Sequence, residues 1–383
     1  MTLLFESLFN GVAIGSVLLM AALGLAVVFG LMGVINLAHG ELIMLGAYTT
    51  YVVQNIFKLE ALKPCFGAYI FVAVLVAFMV SAIAGLVLER SVIRRLYGRP
   101  LATLLATWGV SLILQQFVRT TPMAYASGLW MTLLLGLLMP VLLPQRIRAR
   151  FRALHLRVAG WALALAGGIG TAAWLSGISR LSRASARNVD VTAPKWMRGG
   201  IELGSLNVPV PRLFIICLTV VAVIAIYWFL NRSVWGIRIR AVTQNREISD
   251  CLGIPTQTVD ALTFGIGSGL AGVAGVAVSL LGSVGPNVGG DYIVGSFMVV
   301  VLGGVGKLVG TVVASFGIGL LTDVIGAGRL LEVWPSMPPT CAAVVEFFAT
   351  TSMAKVLIFA LIVAFLQLRP AGLFPRKGRM VEA

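Results

Sequence analysis

Residues 30–48, GLMGVINLAHGELIMLGAY, place an asparagine, a histidine and a glutamate (Asn36, His39 and Glu41) inside one of the most apolar regions of the chain. What that interruption means depends on its surroundings. Of the 383 residues, 59% are hydrophobic and only 11% charged, with a mean hydropathy of +0.98. A soluble domain carries about 25% charged residues, so the composition is that of an integral membrane protein. Apolar runs recur along nearly the whole chain. In a bilayer such runs of roughly 20 residues are helical, because every backbone N–H and C=O must be paired internally. The expected fold is therefore an all-α polytopic membrane protein, a single transmembrane domain over 1–383 with no soluble domain left over.

About eleven spans follow from the apolar runs: 10–32, 41–57, 67–88, 100–118, 128–143, 158–178, 211–230, 261–282, 291–303, 308–326 and 353–368. The first lacks the basic region of a signal peptide and carries Glu6 instead, so it reads as a span. Basic residues favour cytoplasmic loops. Alternate loops hold Arg90, Arg94, Arg95 and Arg99, then Arg146, Arg148, Arg150, Arg152 and Arg157, then Arg232, Arg238, Arg240 and Arg246, then Lys307, and finally Arg369, Arg376, Lys377 and Arg379. These are most of the 29 Lys and Arg, and they put the N-terminus outside and the C-terminus in the cytoplasm. The exception is the long outer loop 179–210, where the rule is weak. The net charge of +15 is thereby explained by lipid headgroups and membrane orientation, and no nucleic acid is needed.

Several motifs exclude chemistry. Cys65, Cys217, Cys251 and Cys341 have no metal-ligand spacing, so no metal or other cofactor is expected. Cys65 and Cys341 both fall outside, where a disulfide is open to them, although unpaired small hydrophobes is the favoured reading. GSGLAG (267–272) matches a dinucleotide fingerprint but follows no strand, and small residues at that spacing let helices pack closely in lipid. GGVGKLVGT (303–311) has Leu308 where a phosphate loop needs Ser or Thr, so ATP is not bound by that motif. With only His39 and His155 as histidines, no catalytic set stands out and an enzyme is not expected.

The stretch 231–275, NRSVWGIRIRAVTQNREISDCLGIPTQTVDALTFGIGSGLAGVAG, holds a short polar helix between two spans. Thr243 or Asn245 caps it, Glu247 and Asp250 suit its N-terminal half, and Gly253 and Pro255 end it. Two turns are unstable alone in water, so it packs on the membrane domain or on a partner.

Together with GLMGVINLAHGELIMLGAY, the segments LERSVIRRLYGRPLATLLATWGVSLILQQ from Leu88, GIRIRAVTQNREISDCLGIPTQTVD from Gly236, GSGLAGVAGVAVSLLGSVGPNVGGDYIVGSFMVVVLGGVGKLVGTVVAS from Gly267 and RPAGLFPRKGR from Arg369 carry a resemblance. The chain resembles the membrane-spanning permease subunits of bacterial ABC importers for branched-chain amino acids and urea. RAVTQNR, SVGPNVG and NVDVTAPKWMRGG look most like the urea subunit. The resemblance implies an inner-membrane importer working by alternating access, with a second permease in a heterodimer, two ATPase subunits and a periplasmic solute-binding protein. It also implies that 243–255 is a coupling helix docking on an ATPase, with Asn245, Arg246, Glu247 and Asp250 as contacts.

Two glycine- or proline-containing interruptions then stand out, Asn36–Glu41 and Gly282–Asp291. Such pairs point to a substrate path in repeat-built transporters. Both follow a loose pattern, NLAHGE and NVGGD, expected near opposite ends of spans in the two halves. The path candidates are Asn36, His39, Glu41, Asn287 and Asp291; Asn36 offers amide groups suited to urea. For His39 and Glu41 the competing reading is a mutual pair locking the break, and for Asp291 it is a helix cap. Residues 121–185 depart from the family pattern and read as an inserted helical hairpin with a basic tip. Two other functions remain open at this point: a branched-chain amino acid importer subunit, and a stand-alone channel for small neutral solutes.

Overall fold

The computed structural model describes residues 2–142, 153–178, 181, 188–203, 206–329 and 345–374. Arg146, Arg148, Arg150 and Arg152 at the expected hairpin tip, Cys341, and Arg376, Lys377 and Arg379 of the tail lie outside the described residues. The fold is all-α apart from a small hairpin. Its helices are α1 (Thr2–Met32), α2 (His39–Phe57), α3 (Tyr69–Ser91), α4 (Pro100–Thr120), α5 (Met123–Leu142), α6 (Ala153–Ser176), α7 (Val210–Arg232), α8 (Val234–Gln244), α9 (Arg246–Cys251), α10 (Thr256–Ser279), α11 (Val288–Gly303), α12 (Leu308–Gly326) and α13 (Thr351–Leu368). Strands β1 (Gly200–Leu203) and β2 (Leu206–Pro209) pair antiparallel just before α7.

Every expected span coincides with a helix, although α1, α5, α6 and α10 begin a turn or more earlier than the apolar runs indicate. Among the described residues, six helices are long and apolar enough to cross a membrane alone: α1, α3, α4, α7, α10 and α12. Shorter apolar helices over Met123–Gly136, Val288–Gly303 and Met353–Leu368 fall on three further expected spans. The helix α8 was not anticipated; it carries Arg238 and Arg240, and a search for apolar runs passes over it. The outward faces of α4 and α7 expose Leu101, Leu105, Trp108, Ile113, Val221 and Trp228, a surface suited to hydrocarbon rather than to water.

Two three-helix units, α1–α3 and α10–α12, form the centre of the molecule and exchange partners. The first helix of each runs antiparallel along the third helix of the other. Gly11 and Gly15 of α1 meet Leu320 and Phe316 of α12, while Gly265, Gly269 and Gly272 of α10 meet Leu86, Phe78 and Ser81 of α3. The two first helices cross at Gly24 and Gly267. The second helices meet at their starts, Gly40 against Gly289. A Cβ at any of these four last positions would collide with backbone, so each approach requires glycine. The GSGLAG segment is therefore a packing surface. Reciprocal exchange of this kind is the arrangement expected of an inverted repeat.

The basic loops gather at one end. Gly30 touches Gly306, Gly304 lies against Phe374, and Gly372 lies against Val301 and Leu302. Arg94 reaches Gln257, and Arg246 lies over Tyr97. At the opposite end the described part of loop 179–210 covers α2 and α3: Gln54 and Tyr69 donate to the Thr192 carbonyl, Trp196 donates to Gly67, and Val189 bridges Val284. Cys65 is exposed and free.

The candidate functional site lies where two helix starts meet

At Gly33 (φ +68) the chain turns in the left-handed region that glycine tolerates, and residues 33–36 are without regular structure. The helix α2 then starts at His39, whose Nε2 lies 3.1 Å from the carbonyl oxygen of Ala21. Ala21 is three turns before the end of α1, roughly 16 Å along its axis. The chain has therefore doubled back beside the interior of α1, and α2 begins within the protein. That is where irregular backbone is tolerated at membrane depth.

All three polar residues of the break are buried. Asn36 Oδ1 accepts from the Ala38 N–H (3.0 Å), stabilising the turn into α2. Glu41 Oε1 accepts from Ser111 Oγ (3.0 Å) on α4. His39 and Glu41 do not bond to each other; one is tied to α1 and the other to α4, which overturns the idea of a locking pair. Each residue also retains a buried atom with no hydrogen-bond partner among the described residues: Asn36 Nδ2, His39 Nδ1 and Glu41 Oε2. Unpaired polar atoms are costly in an interior, so three within six residues set this break apart from the surrounding apolar helices.

The second interruption joins the first instead of lying at an opposite end. Gly40 and Gly289 bring the starts of α2 and α11 into contact. Asn287 Oδ1 accepts from Gln115 Nε2 (2.9 Å) and Arg119 Nη2 (2.7 Å), both on α4. Asp291 is exposed in the first turn of α11 and has no side-chain partner among the described residues, so it is not the cap that was expected.

Sequence reading missed the element that unites these contacts. Thr103, Thr107, Ser111, Gln115 and Arg119 recur at every fourth position of α4 and so share one face. Thr107 Oγ1 accepts from the Leu37 N–H (3.2 Å), Ser111 holds Glu41, and Gln115 and Arg119 hold Asn287. A four-residue polar period inside an apolar run was the available signal.

A separate cavity of about 350 Å³ lies among α2, α3, α4, α5 and α6, lined by residues such as Val52, Val76, Phe117, Trp130 and Leu175. The hydroxyls of Thr49, Ser127 and Thr171 there are spent on their own helices' carbonyls. That lining suits hydrocarbon, not the chemistry of the break. Among the described residues no group of three or more His, Cys, Asp and Glu is placed to hold a metal.

At the basic end, Ser233 Oγ accepts from the Gly236 N–H and caps α8. Asn245 Oδ1 accepts from the Ile248 N–H (3.0 Å) and caps α9. Thr243 instead donates to the Ile239 carbonyl within α8. Gly253 (φ +78) ends the segment. Three of the four residues expected to contact a partner are exposed but also bonded within this chain: Asn245 is the cap, Arg246 pairs with Asp260 (2.5 Å) and lies 4.5 Å from the Tyr97 ring centre, and Asp250 accepts from Thr256. Burial, reinforced by the carboxylates of Asp260 and Glu89, raises the Tyr97 phenol well above its usual value, so it stays neutral. Glu247 is exposed and without a partner among the described residues, and Ile248 and Leu252 beside it are 58% and 75% exposed.

The profile of the branched-chain amino acid transport system permease component family matches residues 7–131 and 120–366. The chain belongs to this family. It is 25% identical over 377 residues to the high-affinity branched-chain amino acid transport system permease protein LivH of Escherichia coli, with 97% of this chain and 95% of that protein covered. LivH of Salmonella typhimurium is 24% identical over 375 residues, with the same coverage. BraD of Pseudomonas aeruginosa, also named a high-affinity branched-chain amino acid permease, is 23% identical over 317 residues, covering 82% of this chain and 84% of BraD. No solved structure matches.

Proposed function

We propose that the chain is the membrane-spanning subunit of an ATP-driven importer for branched-chain amino acids in a bacterial inner membrane. It forms the path with a second permease, probed from outside by a solute-binding protein and driven from the basic end by two ATPase subunits. What carries the reading is the end-to-end likeness to the LivH proteins. The path runs along the polar face of α4 past the starts of α2 and α11. An aliphatic amino acid presents an ammonium and a carboxylate, and Glu41 and Arg119 supply groups of both signs along that face. Urea, the narrower expectation from the sequence wording, needs neither charge, and neither LivH nor BraD carries urea in its name.

The segment Asn245–Leu252 is the coupling element. Its capped helix is short enough to move as one body, and Glu247 with exposed Ile248 and Leu252 forms the face a partner takes hold of. The helices α5 and α6 form a peripheral hairpin inserted between the path and the lipid.

The test is uptake of labelled leucine and labelled urea in cells carrying this permease with its neighbouring subunits, comparing wild type with Glu247→Arg at matched membrane abundance. ATP-dependent leucine uptake, lost in Glu247→Arg, is the expected result. Urea uptake instead returns the substrate to urea. Uptake of either solute that ignores ATP depletion and the substitution overturns the importer and leaves a channel.

A further inference from the structure

The reciprocal packing of the two three-helix units is closed at each end by a charge cluster, and the two clusters have the same construction. At the basic end, Glu89 near the end of α3 is fully buried and is held by Arg94 through two bonds, Nε to Oε1 (3.1 Å) and Nη2 to Oε2 (3.0 Å). The same guanidinium reaches Gln257 on the first turn of α10, through Nη1 to its side-chain oxygen and Nη2 to its carbonyl, each at 3.4 Å. At the opposite end, Asp323 near the end of α12 is buried and accepts from Ser7 Oγ of α1 (2.7 Å). Arg329, just beyond α12, lies 3.9 Å from Asp323 and 3.4 Å from Glu6 of α1. In both cases a carboxylate at the end of a unit's third helix, with an arginine a few residues later, fastens the first helix of the other unit.

The clusters differ in one respect. The basic-end cluster has a second arginine, and it comes from the first residue of α9: Arg246 pairs with buried Asp260 on α10 and stacks on Tyr97 of the α3–α4 link. From Asp260, α10 runs without interruption to Gly267, which touches Gly24, and to Gly272 and Gly275, which touch α2 around Gly46. Gly24 is also the residue against the His39 ring. A displacement of α9 therefore has a continuous packed route to the break, and Arg246 is its first link.

We propose that the two clusters are matched latches of the inverted repeat, and that the Arg246–Asp260 pair is the joint through which α9 opens the latch at the basic end. This rests on the reading of α9 as the coupling element and goes beyond it: Arg246 is a positioning residue that acts through α10, distinct from the Glu247 face that meets the partner. Unpairing Arg246 from Asp260 leaves α9 tied to α10 only through the short link 252–255 and the Asp250–Thr256 bond, which loosens the transmission, while the Glu6–Arg329–Asp323 latch at the other end is untouched.

The experiment uses the assembled transporter in proteoliposomes, with ATP hydrolysis and leucine uptake measured on the same sample. Arg246→Gln changes a side chain that is 43% exposed and Asp260→Asn keeps the shape, so both are read at matched incorporation. The expected result is that ATP hydrolysis persists while uptake per ATP falls on the order of tenfold, a typical coupling between sites. The double variant Arg246→Gln/Asp260→Asn falls no further than either single one, because both remove the same link. Arg238→Gln, whose guanidinium lies over the Trp235 ring on α8 and is not paired with Asp260, leaves the ratio unchanged. A purely structural role lowers incorporation, hydrolysis and uptake together, and that outcome overturns the joint. An unaltered uptake-to-ATP ratio in both single variants, or additive losses in the double variant, overturns it as well. A wild-type transporter whose uptake does not require ATP overturns the importer reading itself, so the two failures are distinct.

Discussion

The interlocked centre and the α5–α6 hairpin are both packed through glycine, and they differ in what those glycines touch. In the centre, Gly24 meets Gly267, Gly40 meets Gly289 and Gly46 meets Gly272, so each contact joins stretches of chain far apart in sequence. In the hairpin, Gly128 meets Gly168 and Ala172, and Gly136 lies against the Trp161 ring, contacts that close one local turn-around. Toward the rest of the molecule the described part of the hairpin presents side chains around the apolar cavity, while the central glycines hold the starts of α2 and α11 together. Close small-residue packing is thus shared by a region with unpaired buried polar atoms and a region without chemistry of its own. Packing alone therefore does not separate the two regions; the unpartnered buried atoms of Asn36, His39 and Glu41 do.

If the comparison is right, the largest loss follows from separating the central helices. Gly46→Val puts a branched side chain into the Gly272 backbone, and overpacking there costs about 3 kcal/mol or more. The expected outcome is little folded protein in the membrane and a sharply lowered thermal midpoint in detergent; a wild-type midpoint would erase the distinction between the two regions. Next is Ser111→Ala, which leaves the buried Glu41 carboxylate with neither oxygen bonded among the described residues. An unsatisfied buried polar group costs about 1–3 kcal/mol, and more when it is charged. The expected result is normal abundance with uptake reduced by roughly tenfold, the kinetic equivalent of 1.4 kcal/mol, and recovery in Ser111→Thr. Smaller again is Asn287→Ala, which frees half-buried Gln115 and exposed Arg119 for other partners; uptake is expected to fall by about threefold, since partly hydrated hydrogen bonds contribute about 1 kcal/mol or less.

Much of this was legible before any coordinates. Apolar length located the helices, because in lipid the backbone has no alternative to helix. The residues Asn36 and Glu41 stood out because polar groups in such runs are costly, and Asn245 and Gly253 announced the ends of α9 through local backbone rules that need no tertiary context. What stayed hidden depends on distance. Nothing local to His39 says that its ring reaches Ala21, eighteen residues earlier, and nothing local to NVGGD says that Gly289 lies on Gly40. Arg246 and Asp250 look like partner contacts in a polar string, yet Asp260 and Thr256 lie one helix further on and claim them. The polar face of α4 was visible as a period of four, but its residues are weakly polar and scattered singly, so a search for charged or glycine-rich interruptions passed over it.

The least effect on transport is expected from Gly128→Ala. Geometrically it resembles a central substitution: the new Cβ would lie 2.5 Å from the Gly168 carbonyl oxygen and 2.7 Å from the Ala172 Cβ. The difference lies in how the strain is relieved. The helices α5 and α6 flank a cavity of about 350 Å³ and expose Leu129, Leu163 and Ile169 outward, so they can move apart with lipid chains following. None of Asn36, His39, Glu41, Thr107, Ser111, Gln115 or Arg119 lines that cavity. The thermal midpoint should fall by a few degrees, in keeping with about 1 kcal/mol of overpacking, with leucine uptake at the wild-type level. Were uptake to fall as far as it does in Ser111→Ala, the hairpin would be mechanically joined to the path, and the peripheral role proposed for it would fail even though the polar site stood.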